Sequence, residues 1–215
     1  MENRPHVQIK RLFRFFPLLL SLCSAACSSP EEEAAREPLY PQVDTTLLQA
    51  GDLIFRLGSG LESQAVVSAD RSGRYSHVGL LVREAGAWRV LHAVPGEAED
   101  TDGEEILKND PLPLFLRPDR AVSLCVMRYD TTAEALAAVC REGLRLYARR
   151  IPFDHAYDIT DSSRMYCTEF VTVAFQAIGV DLPDGRAHRY PLVRERLVLP
   201  VDVARNPRLQ QVLSL

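Results

Sequence analysis

The run from Tyr75 to Val94 leaves this chain little freedom in its local structure. Tyr75-Ser76-His77-Val78-Gly79-Leu80-Leu81-Val82 is β-branched and aliphatic, Glu84-Ala85-Gly86-Ala87 reads as a turn, and Trp88-Arg89-Val90-Leu91-His92-Ala93-Val94 returns as a second strand. If Ala85 and Gly86 form a two-residue loop, residues whose numbers sum to about 171 face each other across the hairpin. Gly79 then lies opposite His92, and His77 opposite Val94. Period-two alternation puts both histidines on one sheet face as diagonal neighbours, roughly 7–8 Å apart at the backbone and within side-chain reach. Two imidazoles with a glycine beside them leave room for a third group to approach.

The residue suited to that place is Cys167, in Arg164-Met165-Tyr166-Cys167-Thr168-Glu169-Phe170. From Cys167 onward Phe170, Val171, Ala174, Phe175 and Ile178 recur at helical spacing, and Gly179 supplies a stop. Cys167 shares that apolar face in the first turn, so its sulfur should point at the sheet the helix packs on, and a partner histidine belongs on a strand. Unpaired N–H groups and the positive dipole end at a helix start make a thiol there ionise more readily than a free one. A lone cysteine on an apolar helix face is ordinarily inert core. The histidine pair is the argument against that reading here. Tyr166, directly before the cysteine, and Asp52, ahead of the first strand, are candidates for oxyanion or structural support. Glu169 suits the helix dipole without a further role, and His155 and His188 read as surface.

The amino terminus reads as a bacterial export signal, with Arg4, Lys10, Arg11 and Arg14 before Phe15-Phe16-Pro17-Leu18-Leu19-Leu20 and then small residues. Its end, Leu22-Cys23-Ser24-Ala25-Ala26-Cys27, resembles a lipoprotein signal in which Cys27 becomes the lipidated first residue. A plain secretory cut near Ala26 is the competing reading. Ser28 in place of an aspartate resembles lipoproteins sorted to the outer membrane. Removing residues 1–26, which carry four Lys or Arg and one Glu, takes the formal charge from −4 to −7, a poor balance for nucleic acid. Residues 27–46 read as a flexible tether rich in Pro, Ser and Glu, and 47–215 as one domain. In that domain Cys125 and Cys140 read as core, no cysteine pair has zinc-site spacing, and whether those two bridge stays open.

Leu53-Ile54-Phe55-Arg56 reads as a short strand, 60–67 as a short helix, and 95–110 as an acidic, solvated loop. Ala121 to Arg128 is a further strand. Thr131-Thr132-Ala133-Glu134 opens a helix as a capping box, with a buried stripe of Leu136, Val139, Cys140, Gly143, Leu144 and Tyr147. In the tail, 197–203 suggests an edge segment and 206–209 a closing helix. The loops expected to line a pocket, 57–75, 95–120 and 180–196, carry no ligand signature.

Gly51-Asp52-Leu53-Ile54-Phe55, Ser76-His77-Val78-Gly79, Val90-Leu91-His92-Ala93, Phe153-Asp154 and Tyr166-Cys167-Thr168-Glu169-Phe170-Val171 together resemble the YiiX-type permuted papain-like cysteine hydrolases. These are circularly permuted relatives of the NlpC cell-wall peptidases and of the lecithin:retinol acyltransferases. The resemblance implies an α+β fold in which an antiparallel sheet packs against the cysteine-bearing helix. It also implies Cys167 as nucleophile, His77 as general base and His92 as the residue orienting the imidazole, where the family commonly has an acidic residue. Phe153-Asp154 stands where the family tends to have Tyr-Asp. The implied chemistry is two-step acyl transfer through a thioester, with the Cys167 N–H and a second, unnamed donor holding the oxyanion, and it needs no cofactor. Kinship and address suggest an exported, periplasmic amidase or peptidase acting on peptidoglycan peptides, held to the outer membrane by its lipid. The alternatives are acyl transfer or ester cleavage on a lipid with the same residues, and an inactive papain-like module that binds an envelope partner.

Overall fold

The computed structural model describes residues 43–70, 73–97, 103–190 and 196–215. The export segment, Cys27 and most of the tether lie outside the described residues. The frame is a six-stranded antiparallel sheet in the order β4-β3-β2-β1-β5-β8. Its strands are β1 (Leu53–Leu57), β2 (His77–Glu84), β3 (Ala87–His92), β4 (Lys108–Pro111), β5 (Ser123–Tyr129) and β8 (Leu209–Ser214). A separate pair, β6 (His188–Arg189) and β7 (Arg196–Leu197), is formed near the carboxyl end. The helices are α1 (Leu61–Asp70), α2 (Leu112–Phe115), α3 (Ala133–Ala148), α4 (Cys167–Gln176) and α5 (Pro200–Ala204).

The β2–β3 hairpin has the expected register, from Leu80 opposite Leu91 to Glu84 opposite Ala87. Ala85 and Gly86 sit at φ 48° and 84°, the left-handed pair of a primed turn whose twist suits a two-residue hairpin.

Because strand side chains alternate, the sheet divides its apolar residues between two cores. Leu53, Phe55, Val78, Leu80 and Leu91 pack with Phe170, Val171, Ala174 and Phe175 of α4 and with Val139 and Leu146 of α3. Ile54, Leu81, Val90, Leu124 and Val126 pack on the other side with Leu112 and Phe115 of α2. The rings of His77 and His92 stand 5.8 and 5.0 Å from that of Phe115, so they belong to the second side. This corrects one expectation: the histidines do not face the helix that carries Cys167. Nor does Gly79 leave a space for the thiol. A Cβ there would stand 2.4 Å from Val90 Cγ1 and 3.3 Å from His92 Cβ, so the glycine makes room for its own neighbours on β3.

Four smaller readings change. Part of the acidic loop is the edge strand β4, with Lys108 and Asp110 buried. Helix α3 is capped by Thr132, whose Oγ1 accepts from Ala135 N at 3.2 Å, so Thr131 and Glu134 do not form the box. Its buried stripe is Leu136, Val139, Gly143 and Leu146, while Tyr147 is exposed, because a 3.5-residue period selects 146. In the tail the order is reversed: the helix comes first, at 200–204, and 209–214 adds an edge strand to β5. Cys125 and Cys140 are unbridged, the first buried and the second half-buried.

Replacing Gly79 by alanine should lower unfolding stability by about 1–3 kcal/mol through overpacking against Val90 Cγ1, the Leu91 carbonyl and His92 Cβ. Urea unfolding followed by circular dichroism measures it, and an unchanged midpoint would mean the β2–β3 contact is looser than described.

Candidate active site

Cys167 is the first residue of α4, and Tyr166 ahead of it is extended and makes no side-chain cap. The first-turn N–H groups are therefore left without a side-chain cap. Burial pushes the Cys167 thiol up to about 11, although the backbone N–H groups of Val78, Thr168 and Cys167 itself, and then Arg56, all favour the thiolate. The expectation of a readily ionised thiol is overturned: the helix start does favour the thiolate, but desolvation outweighs it.

Behind the thiol runs a chain of buried hydrogen bonds. His77 Nε2 lies 2.9 Å from His92 Nδ1, and His92 Nε2 lies 3.2 Å from Asp110 Oδ2. Asp110 is buried and stands 3.3 Å from Lys108 Nζ and 3.3 Å from Arg120 Nη1. Flanked by two cations, this carboxyl acts as an acceptor, so His92 donates from Nε2. A neutral His92 then accepts at Nδ1, His77 donates from Nε2, and His77 Nδ1 keeps the free lone pair. Burial first, then the charge of Arg56, His92 and Lys108, hold the His77 imidazole well below its usual range. Arg56 is itself fixed, giving Nη1 to the Phe115 carbonyl at 2.7 Å and Nη2 to Glu97 Oε1 at 2.5 Å, with its guanidinium 4.3 Å over the Phe115 ring.

Cys167 and His77 reach the same end of the sheet from its two sides. Both line one cavity of about 300 Å³, together with Arg56, Glu97, Arg120, Phe153 and Tyr166. Among the described residues no hydrogen bond joins sulfur to imidazole; in unliganded sites such contacts are often long and tighten when substrate is bound. A second cavity of about 320 Å³ also opens on Cys167, walled by Ala65, Val66, Leu197, Val198, Leu199 and Pro200. One arm of the site is thus charged and the other apolar, and they meet at the thiol.

The two supporting candidates part ways. Asp52 is fully buried at the far end of β1, where it accepts from Arg128 Nε at 2.7 Å, Arg128 Nη2 at 2.8 Å and Gln49 N at 2.8 Å. It is a brace, too distant along the strand to meet an oxyanion. Tyr166 lines both cavities, but its hydroxyl accepts from Val198 N at 3.2 Å, and burial raises its pKa above the ordinary phenol range. Asp154 is buried and caps its own loop through the N–H groups of Ala156 at 2.8 Å and Asp158 at 2.5 Å. His155 is exposed, and His188 is half exposed and bonded to Asp202.

Asp110 and its cations were missed by sequence reasoning. Lys108-Asn109-Asp110-Pro111 has no β-branched residue and ends in proline, so nothing in it reads as strand. Only its pairing with β3, Lys108 opposite His92 and Asp110 opposite Val90, puts the carboxyl on the histidine face. Glu169 also differs from its simple reading. Burial raises its carboxyl to about 8, against the Tyr166 N–H, which favours the charged form, and with Asp154, Asp161 and Asp158 repelling it; Oε2 is buried with no hydrogen-bond partner among the described residues.

Two pH measurements follow from these environments. With thiol and imidazole both neutral at rest, iodoacetamide labelling of Cys167 should accelerate about tenfold per pH unit from about pH 6 to about pH 9. A plateau reaching down to acidic pH would indicate a preformed thiolate–imidazolium pair instead. For Glu169 the folded pKa is raised, so its share of stability is present below about pH 4, near the usual carboxyl pKa, and is lost as pH climbs through about 8. Glu169→Gln should therefore gain melting temperature over the natural protein as pH rises from about 5 to about 9; a constant difference would show that the carboxyl does not titrate there.

The crystal structure of the metalloprotein yiiX from Escherichia coli O157:H7 superposes with a TM-score of 0.63, at 24% identity, covering 78% of this chain and 97% of that one. Among the described residues here, no three His, Cys, Asp or Glu side chains are grouped to hold a metal ion. No curated protein matches the chain. The family of permuted papain-like amidase enzymes, YaeF/YiiX, C92, matches residues 47–213, a span holding all but the last residue of the sheet, both cavities and Cys167. The chain belongs to this family and is a cysteine hydrolase.

Proposed function

We propose that this protein is an exported amidase of the cell envelope in which Cys167 is the nucleophile and His77 the general base. The observation that carries the reading is the buried chain from Asp110 through His92 to His77, ending at a cavity that also holds the Cys167 thiol. In the first step His77 Nδ1 takes the thiol proton as sulfur adds to the amide carbonyl, and the Cys167 N–H faces the developing oxyanion. The intermediate collapses to a thioester while His77 returns the proton to the departing amine. Water, deprotonated by the same nitrogen, then adds to the thioester carbonyl, and the acid leaves as the carbon–sulfur bond breaks and the proton returns to sulfur. Asp110 and His92 keep His77 in the tautomer with Nδ1 free and stabilise the imidazolium as it forms. No step calls for a cofactor.

Peptidoglycan peptides are the first substrate class, because the basic and apolar leader reads as an export signal and Cys27 as a lipid anchor to the outer membrane. One observation favours a second reading: the apolar arm beside the thiol fits an aliphatic chain, as an acyl group taken from a lipid would require.

Incubating the purified protein with muropeptides and, separately, with phospholipid vesicles, and identifying products by mass spectrometry, tests both. We expect cleaved amides, lost in Cys167→Ala, reduced about 10²- to 10⁴-fold in His77→Ala, and reduced less in Asp110→Asn. Release of fatty acid with the same dependence would select the lipid reading. No product from either substrate, with a thiol-directed electrophile labelling Cys167 no faster than Cys140, would sink both.

A further inference from the structure

The two residues flanking Cys167 are both tied to one residue about thirty positions away. The Tyr166 hydroxyl accepts from the Val198 N–H at 3.2 Å, and Thr168 Oγ1 donates to the Val198 carbonyl at 2.7 Å. All three residues are buried, so each of these bonds is costly to leave unmade. Val198 is held in its turn: the next N–H, of Leu199, donates to Asp202 Oδ2 at 2.9 Å, and fully buried Asp202 bonds His188 Nε2 at 2.7 Å.

A threonine in the first turn of a helix ordinarily spends its hydroxyl locally, on a cap or on the preceding turn. Thr168 does neither, and α4 has no side-chain cap from Tyr166. The helix start is fixed by a tertiary brace instead of a local one. Its rigidity matters at one peptide unit, the link between 166 and 167, whose N–H faces the developing oxyanion. A donor stabilises that charge only if it is aimed within a few tenths of an ångström of where the oxygen will be.

We infer that Thr168, with Tyr166, is a positioning residue for the reaction: Thr168 grips the Val198 carbonyl and Tyr166 its N–H, and together they set the direction of the Cys167 N–H. The inference rests on Cys167 being the nucleophile, as proposed above. It concerns aim and not reactivity, so the two are separable with two reagents. An alkyl chloromethyl ketone is attacked at its carbonyl as the thiol proton passes to His77, giving a thiohemiketal oxyanion; the carbon–sulfur bond then shifts to the methylene carbon as chloride leaves and the ketone re-forms. Iodoacetamide alkylates the Cys167 sulfur by direct displacement of iodide as the thiol proton passes to His77, with no oxyanion formed.

Rates of Cys167 labelling by each reagent, read by mass spectrometry on the full chain, are compared in the natural protein, Thr168→Val, Thr168→Ser and Tyr166→Phe. Thr168→Val keeps the shape and removes the bond to the Val198 carbonyl. It should slow the chloromethyl ketone about tenfold or more and iodoacetamide by no more than about twofold, and Thr168→Ser should restore the ketone rate. Both rates unchanged, or both falling in parallel, would overturn the inference. If Thr168→Val does not melt cooperatively, Tyr166→Phe gives the same comparison while keeping the ring in place. Absence of amide hydrolysis with the ketone rate still falling selectively would count against the proposed function and leave this inference standing.

Discussion

The arrangement depends on a carboxyl buried where water cannot reach it. Asp110 is 1% exposed, and a lone carboxylate so placed would cost several kcal/mol or take up a proton. What keeps it an acceptor is the pair of cations beside it, Lys108 and Arg120. They are buried too, and are compensated in turn: Arg120 shares Glu97 with Arg56, and Lys108 donates to the Glu97 carbonyl. The cluster is a small closed set of charges, and the two imidazoles hang from it. Removing Asp110 or Glu97 would leave buried cations short of a counter-charge, which is why an edge strand as short and polar as β4 holds its place.

That cluster also explains why the site is neutral at rest. Arg56 and Lys108 lie close enough to His77 to oppose a third positive charge, and burial opposes it more. The same burial opposes a thiolate at Cys167, against the pull of three N–H groups. Proton transfer from sulfur to imidazole therefore belongs with bond formation, at the moment when the oxyanion supplies the negative charge that the imidazolium needs nearby. Dipole and desolvation act on the thiol in opposite directions, and a sequence shows only the first.

The hairpin was legible because its determinants are local: a two-residue turn, alternation, and the parity that puts residues 77 and 92 on one face. The cysteine helix was legible from the spacing of Phe170, Val171, Ala174 and Phe175. What the sequence hides is which layer covers which face. Leu112 and Phe115, in a proline-flanked segment of four residues, cover the histidine side, and no periodicity announces so short a helix. Asp110 was hidden for a related reason, since β4 is strand only because β3 offers it an edge. The bonds from Tyr166 and Thr168 to Val198 span thirty residues or more and have no local signature at all.

One consequence comes from the sheet being covered on both sides. The proposed nucleophile is mounted on one apolar layer and the proposed base on the other, with β2 as the partition between them. Their separation is accordingly a mechanical property of the whole sandwich. A change of volume among Phe170, Leu80 and Val139, or among Phe115, Leu81 and Val90, shears one layer past the other. Variation deep in either layer can therefore retune the thiol–imidazole gap while every residue that touches substrate stays the same.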